Sequence, residues 1–175
     1  MKTKSLLLAL SLCALLALPA GATTSDTGGL VGAPAPDFEV TDLAGNKIVA
    51  GQIFGKGKVV LVNFWGLQCS ACLDEMPHLV ALKDKFKDRI EIYGVGTDGM
   101  PAEVVAAKMK KKNLNVNYVI IPDADFKLVD LFKMTVAPLT YVIDGKGIVR
   151  VRHENFEPGD EKKIDAEVTK LLEEK

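Results

Sequence analysis

Lys58-Val59-Val60-Leu61-Val62-Asn63-Phe64-Trp65 is an apolar run without alternation, and Gly66-Leu67-Gln68 carries it directly into Cys69-Ser70-Ala71-Cys72. A run of this kind predicts a parallel β-strand covered on both faces. Beyond the cysteines the period changes. Leu73, Met76, Val80 and Leu79, Leu82, Phe86 recur at helical spacing, which predicts a helix from about Ser70 to Lys87 that lays this stripe on the sheet. Pro77 lies inside that helix and leaves the Leu73 carbonyl without its helical N–H, so a kink is expected one turn after the cysteines.

Two thiols three residues apart at the start of a helix can close a disulfide. The free N–H groups and partial positive charge of the helix N-terminus favour a thiolate at Cys69, the cysteine expected to face solvent and to act as nucleophile. Cys72, further inward, is the expected resolving thiol. An inert brace explains the arrangement less well, because so short a loop removes little entropy from the unfolded chain. Zinc needs more ligands than one such pair supplies, and His78 falls on the far side of the helix from Cys69. Glu75, three residues after Cys72, is a helical neighbour on the same side, where a carboxylate can take the Cys72 proton. Spacing alone leaves open the alternative of an exposed helical glutamate.

Elsewhere the chain alternates strands and helices. Phe38-Glu39-Val40 and Ile48-Val49, separated by Leu43-Ala44-Gly45-Asn46, predict a β-hairpin at an edge, since Pro34 and Pro36 cannot donate to a ladder. Further strands are expected at Ile90 to Val95, Tyr118 to Ile121 and Leu139 to Ile143. Asp144-Gly145-Lys146-Gly147 signals a hairpin into Ile148 to Arg152. Asp98 or Gly99 leads to an expected helix with Pro101 near its first turn that ends by Asn113, and further helices are expected from Asp125 to Lys133 and from Gly159 or Asp160 with a stripe of Ile164, Val168, Leu171 and Leu172. The sum is a three-layer α/β domain with a mixed sheet.

Lys2 and Lys4, the apolar run Leu6 to Leu18 and the small residues ending at Ala22 read as a signal peptide over residues 1–22, followed by a flexible leader over 23–29 and one domain over 30–175. The run is too short to span a bilayer. Loss of residues 1–22 changes 22 bases against 23 acids into 20 against 23, a net charge of -3, which offers nucleic acid no general attraction. It also removes Cys13 and leaves Cys69 and Cys72 alone in an oxidising compartment. Lys108 to Lys112 reads as a solvated helix end, and Asp123 and Asp125 as turn and cap residues rather than metal ligands.

Asn63-Phe64-Trp65-Gly66, Cys69-Ser70-Ala71-Cys72 and Glu75-Met76-Pro77 together resemble the extracytoplasmic thioredoxin-like family that includes TlpA, ResA and CcmG, as do Gly32-x-Pro34-Ala35-Pro36-Asp37-Phe38 and Val136-Ala137-Pro138-Leu139-Thr140. The resemblance covers residues 30–172. It implies a thioredoxin-like fold with an N-terminal β-hairpin extension and a strand-helix unit inserted within residues 90–125. It also implies a cis Pro138 facing the disulfide and a Glu75 that acts on the thiols where thioredoxins bury a strand aspartate, the place held here by Asn63. Trp65, Ala137 and Pro138 would meet the substrate, with Trp65 read as either core or rim of the active site. The expected reaction is thiol-disulfide exchange with a disulfide-containing protein, apocytochrome c by the family's likeness, in the periplasm. No flavin or nicotinamide motif is present, so electrons would come from a membrane thiol transporter. Gln68 and the Val136-Ala137 pair depart from the usual pattern and alter the substrate-facing surface, and Ser70-Ala71 between the cysteines lacks the proline of many relatives, so the reduction potential does not carry over. The competing readings are an oxidant or isomerase and a copper-handling thiol protein. Peroxiredoxins share the Pro-x-Pro-Asp-Phe lead-in, but their reactive-site pattern requires proline at Val62 and threonine at Gly66.

Overall fold

The computed structural model describes residues 29–174. The expected signal peptide, and all of the expected leader except Gly29, lie outside the described residues. The elements are β1 (Glu39–Thr41), β2 (Lys47–Val49), α1 (Ala50–Ile53), β3 (Val59–Trp65), α2 (Ser70–Phe86), β4 (Ile90–Gly96), α3 (Ala102–Lys111), β5 (Val119–Pro122), α4 (Lys127–Leu131), β6 (Leu139–Ile143), β7 (Val149–Glu154) and α5 (Asp160–Glu173). Five strands form one mixed sheet in the order β5-β4-β3-β6-β7, with β3, β4 and β5 parallel and β6 antiparallel to both β3 and β7.

β3 lacks alternation because both faces are covered. Val60, Val62 and Phe64 pack on one side with Phe38, Leu128 and Phe132. Val59 and Leu61 pack on the other with Leu79, Leu82 and Phe86 of α2 and Ile164, Val168 and Leu171 of α5. Leu79, Leu82 and Phe86 belong to the stripe expected from periodicity, as do the α5 residues, and make the third layer, while Leu73 and Met76 join the cluster around Cys72 and Val80 is only half-buried. α2 continues through Pro77 without a break. β1 and β2 form a separate two-stranded sheet rather than an edge of the main one. Its turn is tied to β5 by Leu43, which donates its N–H to the Ile120 carbonyl at 2.9 Å and so covers an edge that would otherwise be open.

One helix differs from its expected bounds for local reasons. α4 is shorter than Asp125 to Lys133 because Phe126 and Lys133 both take left-handed backbone, at φ 59° and 51°. Asp123 serves as its cap, accepting the N–H groups of Leu128 and Val129 at 3.0 and 2.9 Å. Asp123→Ala leaves both donors unpaired in a buried place, a loss of about 1–2 kcal/mol that lowers Tm by roughly 2–8 °C. A Tm equal to that of the parent would show that the cap contributes nothing. α3 begins directly after Pro101, in agreement with the expected place of this proline at the helix start, while the Asp98 carboxylate is engaged at the end of β3.

Candidate active site

β3 ends at Trp65, and the chain turns through Gly66, Leu67 and Gln68 onto the N-cap of α2, which is Cys69. Asp98 fixes the turn: its carboxylate accepts the Leu67 N–H at 3.0 Å. The Cys69 sulfur takes the position of a capping oxygen and accepts the Cys72 N–H at 3.2 Å. Any negative charge on this sulfur therefore meets a helix N–H and the positive end of α2, the electrostatic basis for a reactive thiolate. Cys69 and Cys72 are joined by a disulfide, with Cα atoms 5.2 Å apart. Cys69 is partly exposed and Cys72 only 1% exposed, packed among Trp65, Leu67, Met76, Val105, Met109 and Ile120. Apolar surroundings favour the neutral thiol at Cys72, so once reduced it needs a base.

Glu75 is buried and lies one helical turn from Cys72. Thr140 donates its hydroxyl to one carboxylate oxygen at 2.9 Å, and the Asn63 amide donates to the other at 2.9 Å. The same amide reaches the Thr140 hydroxyl at 2.9 Å. Sheet register creates this arrangement, since Asn63 of β3 is paired with Thr140 of β6 and their side chains share the face under α2. Burial pushes the Glu75 carboxyl up to about 7, against the pull of its hydrogen bonds to Thr140 and Asn63 and of the His153 charge. A carboxyl balanced near neutrality can exchange a proton with a neighbouring thiol. Behind it, between α2 and α5, a cavity of about 10 Å³ is lined by Glu75, His78, Phe156 and Glu161, which is room for a single water.

The Ala137–Pro138 peptide is cis, as expected, and stands immediately before β6. Ala137, like Cys69, packs against the apolar cluster that contains Cys72. The Pro138 carbonyl accepts the Asn155 N–H at 2.9 Å, whereas the backbone N–H and carbonyl of Ala137 have no partner among the described residues. An added strand can pair with those groups.

Of the two places open to Trp65, core or rim, the structure gives the core, which removes it from the residues expected to meet substrate: it is fully buried, with its indole N–H turned toward Gly94 of β4. The reason is the all-buried β3, which carries the side chain under α2 and α3 before the chain emerges at Gln68. Pro138 is buried as well, while Ala137 is half-buried. His78 is exposed and its ring lies beside Phe156. Among the described residues no group of three or more His, Cys, Asp or Glu side chains could hold a metal ion. Sequence reasoning missed Thr140 and Asp98. For Thr140 a signal existed: a hydroxyl inside an otherwise buried strand must find a partner, as must Asn63. Asp98 gave none, because nothing in its neighbourhood distinguishes a helix cap from a tether to a distant turn.

Residues 31–152 match the profile of the AhpC/TSA family, more than half of the chain. The chain belongs to the AhpC/TSA family. Within it, the kinship is with ResA proteins, as the motif resemblance implied. The thiol-disulfide oxidoreductase ResA of Bacillus cereus is 33% identical over 120 residues, 68% of this chain and 66% of that protein. ResA of Geobacillus kaustophilus is 31% identical over 128 residues, 73% and 71% of the two chains. The chain thus spans about two-thirds of the length of these relatives. A putative thiol:disulfide interchange protein DsbE from Chlorobium tepidum superposes with a TM-score of 0.73 at 21% identity, over 81% of this chain and 97% of that one. The architecture is therefore thioredoxin-like, with the added N-terminal hairpin.

Proposed function

We propose that this member of the AhpC/TSA family is a periplasmic thiol-disulfide oxidoreductase that reduces disulfides of partner proteins, with apocytochrome c as substrate. One observation carries the reading: a partly exposed sulfur at a helix N-cap is bonded to a buried one whose neighbouring carboxyl sits near neutrality. In the reduced protein the Cys69 thiolate attacks a partner disulfide; one partner sulfur bonds to Cys69 and the other leaves as a thiolate. Glu75 takes the Cys72 proton, and the Cys72 thiolate attacks the Cys69 sulfur. The Cys69–Cys72 bond forms and the second partner sulfur leaves. Unpaired backbone groups at Ala137 support the partner's binding as an added strand. A membrane thiol transporter then returns two electrons to Cys69–Cys72. The ResA kinship supports the redox chemistry, and the basic start and apolar run of the sequence support export.

Mixed-disulfide capture tests the substrate. Expressed with its leader, Cys72→Ser is expected to accumulate reducible adducts with haem-binding apoproteins in the periplasm. Adducts confined to proteins awaiting oxidative folding would point to an oxidant or isomerase, and a tight Cu(I) complex with no adducts to copper handling.

A further inference from the structure

Phe126 is the large apolar side chain left exposed among the described residues, at 44%. Its backbone is left-handed, at φ 59°, a region that glycine and asparagine enter readily and a bulky aromatic does not. Folding explains the turn, because Asp123 must reach the N–H groups at the start of α4. It does not explain the ring, since an exposed phenyl adds little to the core and opposes the turn's geometry. Strain of this kind at an exposed aromatic points toward function.

Its location gives the ring a use. The ring lies on Gly99, where an added Cβ would fall 2.6 Å from its tip. Gly99 follows Asp98, which holds the Leu67 N–H, and Thr97, which binds the Trp65 carbonyl through its N–H at 2.9 Å and its hydroxyl at 3.1 Å. A Cβ on Gly66 would stand 3.6 Å from the Asp98 carboxylate and 3.9 Å from the Cys69 Cβ. The ring therefore rests on the 97–99 loop that holds the turn running into the nucleophile, on the β4 side of Cys69 and across β3 from Ala137, where a polypeptide extending past Cys69 can meet it. The rest of that rim, Gln68 and Ser70, is polar and exposed.

We propose that Phe126 is a specificity-determining contact: it receives an apolar side chain of the partner polypeptide, close in sequence to the cysteine that Cys69 attacks. The inference rests on the redox reading above. No bond changes at Phe126, and thiol-disulfide exchange takes place at Cys69 and Cys72 alone.

The test uses the reduced protein and two synthetic disulfide peptides that differ only in carrying Leu or Ser two residues from the cysteine, with hydroxyethyl disulfide as a probe too small to reach the ring. The parent is expected to react about 5–10-fold faster with the Leu peptide, a typical span for partial burial of one apolar side chain. Phe126→Asn is expected to bring the ratio within about twofold of unity, leave hydroxyethyl disulfide unaffected, and hold or raise Tm by a few degrees, since asparagine tolerates the left-handed backbone. Phe126→Tyr retains the preference. An unchanged Leu/Ser ratio in Phe126→Asn overturns the inference. So does a fall in Tm with equal loss on all three probes, which would make the ring structural, or a dimer of the parent that Phe126→Asn abolishes, which would assign the ring to self-association. A parent inert toward all three disulfides overturns the redox reading, and the inference with it.

Discussion

Cys69→Ser abolishes turnover, with a loss of at least about 10³-fold, because no other sulfur among the described residues can begin the exchange. Cys72→Ser fails differently. Its Cys69 still receives the helix N–H and the dipole of α2, so it attacks one partner disulfide and stops as a mixed disulfide that cannot resolve. Stopped-flow measurement with a disulfide peptide separates the two. Cys72→Ser shows one stoichiometric burst and no turnover, and Cys69→Ser shows neither. The asymmetry follows from burial: Cys69 is partly exposed and Cys72 is 1% exposed, so the second sulfur is shielded from a protein-sized partner. Equal bursts from both variants would remove the assignment of nucleophile and resolving thiol.

Glu75→Gln has the second large effect, and its sign depends on pH. Burial raises this carboxyl from 4.5 to about 7 in the folded protein. The folded state therefore holds its proton over a range in which the unfolded chain has released it. The associated stability is present in full below about pH 4.5, falls as pH rises, and is gone above about pH 7, a change of roughly 3 kcal/mol. Glutamine does not titrate. Urea unfolding of the oxidised proteins at pH 4.5, 6 and 8 should show the variant gaining on the parent by about 3 kcal/mol across that span. A constant offset is superimposed, because the glutamine amide opposes the Asn63 amide, donor against donor, unless one of them turns. In catalysis the same variant is expected to slow resolution of the mixed disulfide by about 10²-fold above pH 7, while the first attack by Cys69 proceeds. Parallel stability curves, or equal resolution rates, would mean that the carboxyl does not hold or move this proton.

Much of the fold was legible because its elements carry strong patterns. β3 shows as an unbroken apolar run, and α2 and α5 show as stripes at helical spacing that do pack on one face of the sheet. The turn at Asp144–Gly147 announces itself by composition. Legibility fell where tertiary context decides. Trp65 reads as core or rim from its place beside the cysteines, and only the continuous burial of β3 decides for the core. Phe126 gives no sign of a left-handed backbone, because the conformation is imposed by the cap that Asp123 makes two residues further along. At the site, Cys69, Cys72 and Glu75 follow from spacing and resemblance. The Asn63–Thr140 support does not, because it joins residues 77 apart that only the β3–β6 register brings together.

The reduction potential of the Cys69–Cys72 couple tests the central claim most directly. The mature protein would be equilibrated in graded thiol-disulfide buffers and the reduced fraction read by alkylation of the two cysteines. A reversible two-electron transition at about -250 mV or lower is expected for a reductase. A value near about -120 mV would make the protein an oxidant and contradict the direction of electron flow proposed here.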